Sequence, residues 1–312
     1  MTRGLLSIVV PVFNEGAWIE EAHRQIGDAM ASALPALDYE IMFVDDGSVD
    51  DSFAHIQRLA SAHPNVKAIR FAANCGSHMA IRAGLEHAGG DAACFLACDL
   101  QEPPSLIPLL LAALEPPYDI VWAVRNSTAN NSSNRFLGRI YYSLGRALVS
   151  RTIPPSGATM FMVDAKVLAA INRYTERNLT LDGLLSTLGF KSQYLYYQPR
   201  PRTSGQSKWT VGKKVKHWID FFVGNTFFPM RMVTVVGVSF SLVGVAWTIY
   251  LVLRKVLYGD IVPGWTALSS ILLIGFGITN ISLGIIAEYL WRTLDETRRR
   301  PRYIIDEKLN LT

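Results

Sequence analysis

Along the first 125 residues, short apolar runs alternate with longer segments whose apolar positions recur at helical spacing. Strand-like runs fall at residues 8–13, 39–44, 66–71, 92–97 and 120–124, with helix-length segments such as 17–33 and 77–87 between them. In the second of these segments Ala80, Ile81, Gly84 and Leu85 share one face. Strands spaced by helices predict an α/β fold with a mostly parallel sheet, because parallel neighbours need a long right-handed crossover. The run at 5–10 is too short for the core of a secretory signal and meets Pro11 and Asn14, so it reads as the first strand.

The pattern changes after residue 125. Residues 126–134 are polar and rich in Ser and Asn, which predicts a loop. Residues 135–149 are amphipathic, with Leu137, Ile140, Tyr141, Leu144 and Leu148 on one face and Arg135, Arg139 and Arg146 on another. Two uncharged runs follow, 21 residues at 233–253 and 22 residues at 266–287, separated by a short Gly/Pro-containing loop. Each reaches the roughly 20 residues a membrane-spanning helix needs. Before them Phe221, Phe222, Phe227 and Phe228 stand beside Lys213, Lys214 and Lys216, the composition of a helix lying in a membrane interface. The organisation expected is an α/β domain at 1–215, a juxtamembrane segment at 216–232, a two-span hairpin at 233–290 and a basic tail at 291–312.

Composition sharpens this. Half of the 312 residues are hydrophobic and only 18% are charged. From Gly183 to Ile219 there is no Asp or Glu, while Lys191, Arg200, Arg202, Lys208, Lys213, Lys214 and Lys216 supply seven positive charges. The whole chain is only +4, so the basicity is local and points to an anionic partner at one place, not to nucleic acid. Arg298, Arg299, Arg300 and Arg302 in the tail, with an even number of spans, place both termini in the cytoplasm by the positive-inside rule. The expectation is a multi-pass protein of a bacterial inner membrane. Cys75, Cys94 and Cys98 have neither CxxC nor metal-ligand spacing and read as reduced, packed thiols.

Candidate chemistry gathers at the ends of the predicted strands, where an open α/β sheet binds ligands. The first strand ends in Pro11-Val12-Phe13-Asn14-Glu15 and the second in Val44-Asp45-Asp46-Gly47-Ser48, with Asp50 two residues on. Gly47 suits a tight turn and Ser48 the cap of the next helix. Two adjacent carboxylates leaving a buried strand need another reason, since an unpaired buried charge is expensive. The fourth run leads into Asp99-Leu100-Gln101-Glu102-Pro103-Pro104. Oxygen ligands of this kind suit Mg²⁺ or Mn²⁺ carrying a substrate phosphate. The chain has no GxGxxG after its first strand, no GxxxxGK[ST] and no zinc-ligand pattern, which removes the main support for a dinucleotide oxidoreductase, a P-loop NTPase or a zinc enzyme.

In order and spacing, Pro11-x-x-Asn14-Glu15, Val44-Asp45-Asp46-Gly47-Ser48, Asn74-x-Gly76 and Asp99-Leu100-Gln101-Glu102-Pro103-Pro104 resemble the signature of family 2 glycosyltransferases. The resemblance is to the subgroup acting on polyprenyl phosphates, such as dolichyl-phosphate mannose synthases and bactoprenol glucosyltransferases. Arg202-x-x-Gly205-x-Ser207-Lys208, the hairpin and Arg300-Pro301-Arg302-Tyr303 extend it over nearly the whole chain. It implies a GT-A fold, a nucleotide-sugar donor (a UDP-sugar by family habit) and a polyprenyl phosphate acceptor. It assigns Pro11, Phe13, Glu15, Asp45 and Asp46 to the nucleotide-sugar, and Asp99 with Gln101 to a catalytic Mg²⁺ or Mn²⁺ on the diphosphate. Arg125, Arg200, Arg202, Ser207 and Lys208 would meet the acceptor phosphate. Two positions depart from the family pattern: Ala97 where many relatives have the first Asp of Asp-x-Asp, and Thr159 where relatives often have an Asp near the acceptor. The other reading is a catalytically inactive membrane scaffold that binds nucleotide-sugar or lipid phosphate. Gly237, Gly244, Gly275, Gly277 and Gly284 in the spans suit packing against further copies, a homo-oligomer.

Overall fold

The structure is a computed structural model and describes residues 4–126, 141–155, 157–174, 180–198, 221–226, 228–259, 264–298 and 300–311. The chain divides into two compact units, Met1–Trp218 with Pro301–Thr312, and Ile219–Arg300.

The first unit is built on one eight-stranded sheet. Its strands are β1 (Leu5–Val12), β2 (Asp38–Asp45), β3 (Val66–Phe71), β4 (Ala92–Phe95), β5 (Ile120–Arg125), β6 (Ala158–Asp164), β7 (Ser192–Tyr197) and β8 (Ile305–Leu309), in the spatial order β7-β5-β6-β4-β1-β2-β3-β8. The β1–β2, β2–β3, β1–β4 and β5–β7 pairs are parallel, while β6 runs antiparallel to both β4 and β5. Helices α1 (Gly16–Ala33), α2 (Ser52–Ala62), α3 (Ser77–Glu86) and α4 (Leu106–Ala113) connect the first five strands, as expected for parallel crossovers. The order reverses between β1 and β4. That reversal opens the crevice at the carboxyl ends of β1, β2 and β4.

Both faces of the central strands are covered. Leu6, Ile8, Val10 and Val12 of β1 pack with Ile19, Ile26 and Met30 of α1 on one side, and Val9 packs with Ala80 and Ile81 of α3 on the other. This is why β1 and β2 read as continuous apolar runs and not as alternating ones. Gly84 is where α3 meets the sheet. A Cβ there would lie 2.3 Å from the Val9 side chain, so the close approach of helix to strand needs glycine.

Several expectations are revised. The fourth strand stops at Phe95, so Asp99 stands on the following loop and not on the strand itself. In the 135–149 segment, residues 141–148 are helical, and Tyr141, Gly145 and Leu148 face inward while Leu144 is exposed. The tail is not a separate basic extension. Beyond Arg300 it returns to the first unit, where β8 pairs antiparallel with β3. Tyr303 stacks on Phe71 at 4.7 Å and hydrogen-bonds Glu86. Arg302 pairs with the same carboxylate at 2.9 Å. Asn310, in left-handed conformation, donates to the carbonyls of Ala60 and Val66 at 2.7 and 2.8 Å.

The second unit holds two long helices, Phe228–Tyr258 and Trp265–Thr297, of 31 and 33 residues. Both are long and apolar enough to cross a membrane, and no residue of the first is buried. At 1.5 Å per residue each is about 45–50 Å long, well beyond a ~30 Å hydrocarbon core. The helices outrun the apolar stretches and carry Arg254, Lys255 and Arg292 at their ends. Tyr289 donates its hydroxyl to the carbonyl of Thr226 at 2.9 Å within this unit.

Asn310→Ala removes two hydrogen bonds to strand and helix carbonyls and leaves a Cβ-bearing residue without its left-handed preference. The expected loss is about 1–2 kcal/mol, or a few degrees in Tm of the purified protein. An unchanged Tm in a detergent thermal scan would mean that the β8 register does not depend on this residue.

Candidate active site

The carboxyl ends of β1, β2 and β4 bring the first two predicted clusters together. Pro11 pairs with Val44 and Val12 with Asp45 in the β1–β2 ladder, so Phe13, Asn14 and Glu15 leave the sheet beside Asp46 and Gly47. The backbone N–H of Asn14, in left-handed conformation at φ 53°, donates to Ser48 Oγ at 2.9 Å. Its side-chain oxygen accepts from the Val49 N–H at 3.0 Å. Glu15 N–H donates to Ser52 Oγ and Gly16 N–H to Asp50 Oδ2. The loop after β2 therefore satisfies the free N–H groups at the start of α1. Ser48 was expected to cap the next helix; instead it closes the loop after β1, and the first N–H of α2, that of Ser52, is taken by Asp50 Oδ1 at 3.1 Å.

Asp45 and Asp46 are 0 and 2% exposed. Asp46 accepts from three donors, Asn74 Nδ2 at 2.9 Å, Cys75 N–H at 2.6 Å and Gly76 N–H at 2.8 Å. Its carboxylate gathers the 74–76 loop onto the end of β2. Gly47 makes room for that loop: with φ at +70°, a Cβ there would lie 2.9 Å from the backbone of Ala73 and Asn74. Asp45 takes the Ser48 N–H on Oδ1 at 3.2 Å, and Arg70 Nε lies 3.6 Å from Oδ2, which has no hydrogen-bond partner. Burial pushes both carboxyls above the usual range, and the N–H bonds at each offset part of that rise.

Asp99 and Gln101 lie on the loop after β4. Leu100 between them is buried and left-handed, at φ 54°. A bulky residue held there stores backbone strain of order 1–3 kcal/mol, of the kind that clusters at functional sites. The strained turn puts Asp99 and Gln101 in mutual contact: Asp99 Oδ1 accepts the Gln101 N–H at 3.3 Å and Oδ2 meets its amide nitrogen. Just before it, Cys98 hydrogen-bonds Glu15, and burial together with the charges of Glu15 and Asp99 pushes its thiol well up. Glu15, Cys98 and Asp99 are thus neighbours across the β1–β4 boundary.

Arg125, at the end of β5, is already engaged. Its Nε and Nη2 donate to Glu102 Oε1 at 3.2 and 2.5 Å, and Nε lies 3.3 Å from the Tyr197 hydroxyl. Tyr197 in turn donates to Glu102 Oε1 at 2.9 Å and shares a 2.5 Å hydrogen bond with Thr159. Arg200, Arg202, Ser207 and Lys208 lie outside the described residues.

Among the described residues no group of three or more His, Cys, Asp or Glu gathers as a metal cage. One carboxylate and one amide at the β4 loop suit a hard divalent ion that takes its remaining oxygens from water and a diphosphate, which is how Mg²⁺ is commonly held. They do not suit a closed structural metal site.

A mixed sheet with this strand order, strand-end carboxylates and an Asp-Leu-Gln turn is a GT-A glycosyltransferase fold. Residues 7–171 match the family described as glycosyl transferase family 2, and the chain belongs to that family. A prophage bactoprenol glucosyl transferase homolog of Escherichia coli is 32% identical, over 96% of this chain and 98% of its own. A bactoprenol glucosyl transferase of Shigella phage SfX is 30% identical over 97% of this chain and 99% of its own. Among solved structures, a mannosyltransferase of Pyrobaculum calidifontis, in complex with GDP-mannose and Mn²⁺, superposes with a TM-score of 0.52. It covers 92% of this chain at 13% identity, a likeness of fold. The chain is a glycosyltransferase.

Sequence reasoning missed Glu102, Tyr197 and Asn74 as parts of this edge. Glu102 sits inside a quoted motif, but Pro103 and Pro104 made it read as turn. Tyr197 closes a strand, β7, that carried no distinct signal among Tyr194, Leu195 and Tyr196. Asn74 was quoted for spacing alone, and its bond to Asp46 depends on a loop 28 residues away.

The two adjacent carboxylates give opposite expectations. Asp46→Asn sets an NH₂ against N–H donors and is expected to lower the Tm by several degrees. Asp45→Asn removes a buried charge whose Oδ2 lacks the hydrogen bonds that Asp46 has, and is expected to hold or raise it. A raised folded pKa means that stability falls as pH climbs from about 3.9 through the folded value, so the Asp45→Asn advantage should shrink in scans approaching pH 4. Equal destabilisation by both variants at pH 7 would contradict this division of roles.

Proposed function

We propose that this glycosyltransferase moves a sugar from a UDP-sugar to a membrane polyprenyl phosphate, giving a polyprenyl-phosphate sugar. The observation that carries the proposal is that the bactoprenol glucosyl transferases match it from end to end, apolar hairpin included. A lipid acceptor is also what a catalytic domain joined to two membrane-length helices would serve.

In this reading Pro11, Phe13 and Glu15 form the rim that meets the nucleotide, while Asp45 and Asp46, buried behind it, hold the loops that shape the rim. Asp99 and Gln101 would hold a divalent ion on the diphosphate, which neutralises charge on the departing nucleoside diphosphate. Arg125 would meet the acceptor phosphate, with Arg200, Arg202, Ser207 and Lys208 assigned to it from the sequence alone, since planar guanidinium forks match phosphate oxygens. The nucleophile is a phosphate oxygen, largely deprotonated at pH 7 because a phosphate monoester has its second pKa near 6. Attack at the anomeric carbon forms the new C–O bond as the bond to the diphosphate breaks. No proton has to leave the nucleophile, so Thr159 in place of an acid is consistent with the chemistry, and positioning carries much of the catalysis.

Pairing of β8 with β3 supports a two-span topology. Residues 301–312 must be on the same side of the bilayer as the sheet they complete, so an even number of crossings separates them from it. The arginines of the tail support the cytoplasm as that side by the positive-inside rule, and the bacterial homologues favour an inner membrane.

The test is transfer of radiolabelled sugar from UDP- and GDP-sugars to undecaprenyl phosphate by full-length protein in detergent, with Mg²⁺ or Mn²⁺ and with EDTA. Label is expected in the organic phase from a UDP-sugar, lost with EDTA and reduced at least 100-fold by Asp99→Asn at unchanged Tm. Nucleotide and lipid-phosphate binding with no transfer from any donor would favour the inactive scaffold.

A further inference from the structure

The Arg125 side chain is 39% exposed, whereas its partner Glu102 is 4% exposed. The ion pair therefore lies with its anion inside the protein and its cation at the surface of the strand-end edge. Glu102 comes from the loop after β4, Arg125 from the end of β5, Thr159 from the start of β6 and Tyr197 from the end of β7. Since β6 runs antiparallel to its neighbours, its start lies at the same edge as the ends of β5 and β7. Four elements thus contribute to one linked cluster of side chains around this guanidinium.

Among the described residues, the bonds are all on one side of that group. Glu102 Oε1 takes Nε and Nη2 together, and the Tyr197 hydroxyl, tied to both Glu102 and Thr159, fixes the carboxylate oxygen from behind. A surface pair free to rotate would gain little and would hold no particular direction. Here the buried carboxylate and the phenol remove the rotamer freedom that an arginine otherwise loses only on binding its ligand. A guanidinium held along its Nε–Nη2 edge keeps Nη1 for a second anion, and its plane is set before that anion arrives.

We infer that Glu102 and Tyr197 are positioning residues that pre-set Arg125 for the phosphate group of the acceptor. The inference rests on the acceptor reading given above and adds to it two residues that touch neither substrate. Thr159 completes the set by holding the phenol.

The discriminating measurement is a double-mutant cycle on the full-length protein in detergent, read as the Kd for undecaprenyl phosphate and, separately, for UDP-glucose. Wild type, Tyr197→Phe, Arg125→Ala and the double variant are compared. Tyr197→Phe is expected to weaken undecaprenyl phosphate binding about five- to tenfold, the factor for one lost hydrogen bond, and to leave the UDP-glucose Kd unchanged. In the Arg125→Ala background the same change should cost less than about twofold, because a residue acting through another adds nothing once that other is gone. Glu102→Gln, which keeps the shape, provides a second cycle should Tyr197→Phe lower the Tm. Equal losses in both backgrounds, a loss confined to UDP-glucose or no loss at all would overturn the positioning role while leaving the acceptor reading intact. Failure of the wild type to bind undecaprenyl phosphate saturably would overturn both.

Discussion

The carboxylate of Asp46 has to be met by N–H groups, because it is buried at the end of a strand where water does not reach it. Much of the edge formed by β1 and β2 depends on that requirement. The loop of Asn74, Cys75 and Gly76 is drawn to it, Gly47 leaves the room, and α3 starts where the loop ends. A run of short acidic and hydroxyl residues, which reads as a ligand-binding motif, is in large part the internal bracing of two loops. At the rim of this edge the bracing leaves Phe13 and Glu15 partly exposed.

The other half of the edge is organised around a cation. Glu102 is as deeply buried as Asp46, but its partner is Arg125, whose exposed edge remains available. One half of the edge thus presents Phe13 and Glu15 on loops braced by a hidden anion, and the other presents a positive group held by a hidden anion. Burial of carboxylates costs stability at both places. Its return is a site whose walls are defined before any substrate binds.

The parallel core and the two apolar helices were legible because their signals are local. Buried parallel strands are apolar throughout, and a span is a long run without charge. The strand-end clusters were legible for the same reason, since Asp45, Asp46 and Asp99 each follow such a run. What escaped is non-local. Nothing between Ala158 and Asp164 says that β6 inserts between β4 and β5 in the opposite direction. In β8 only the exposure alternates: its sequence, Ile-Asp-Glu-Lys-Leu, sets three charged residues in a row, so it carries no period-2 strand signal. Leu144 was placed on the apolar face by periodicity and is exposed, because the buried line runs through Gly145 instead. Tyr197 had no signal at all: its role is set by Glu102, 95 residues earlier.

The last strand also has a meaning in time. Asn310 bonds Ala60 across 250 residues of sequence. At about 5–20 residues per second, the ribosome needs on the order of ten to fifty seconds to travel that distance. Through that interval the outer side of β3 stays an open strand edge, and both apolar helices emerge before its partner does. The nascent sheet is therefore finished only after both apolar helices have been made, so the enzyme domain is the last part of the chain to be completed although it is the first to be started.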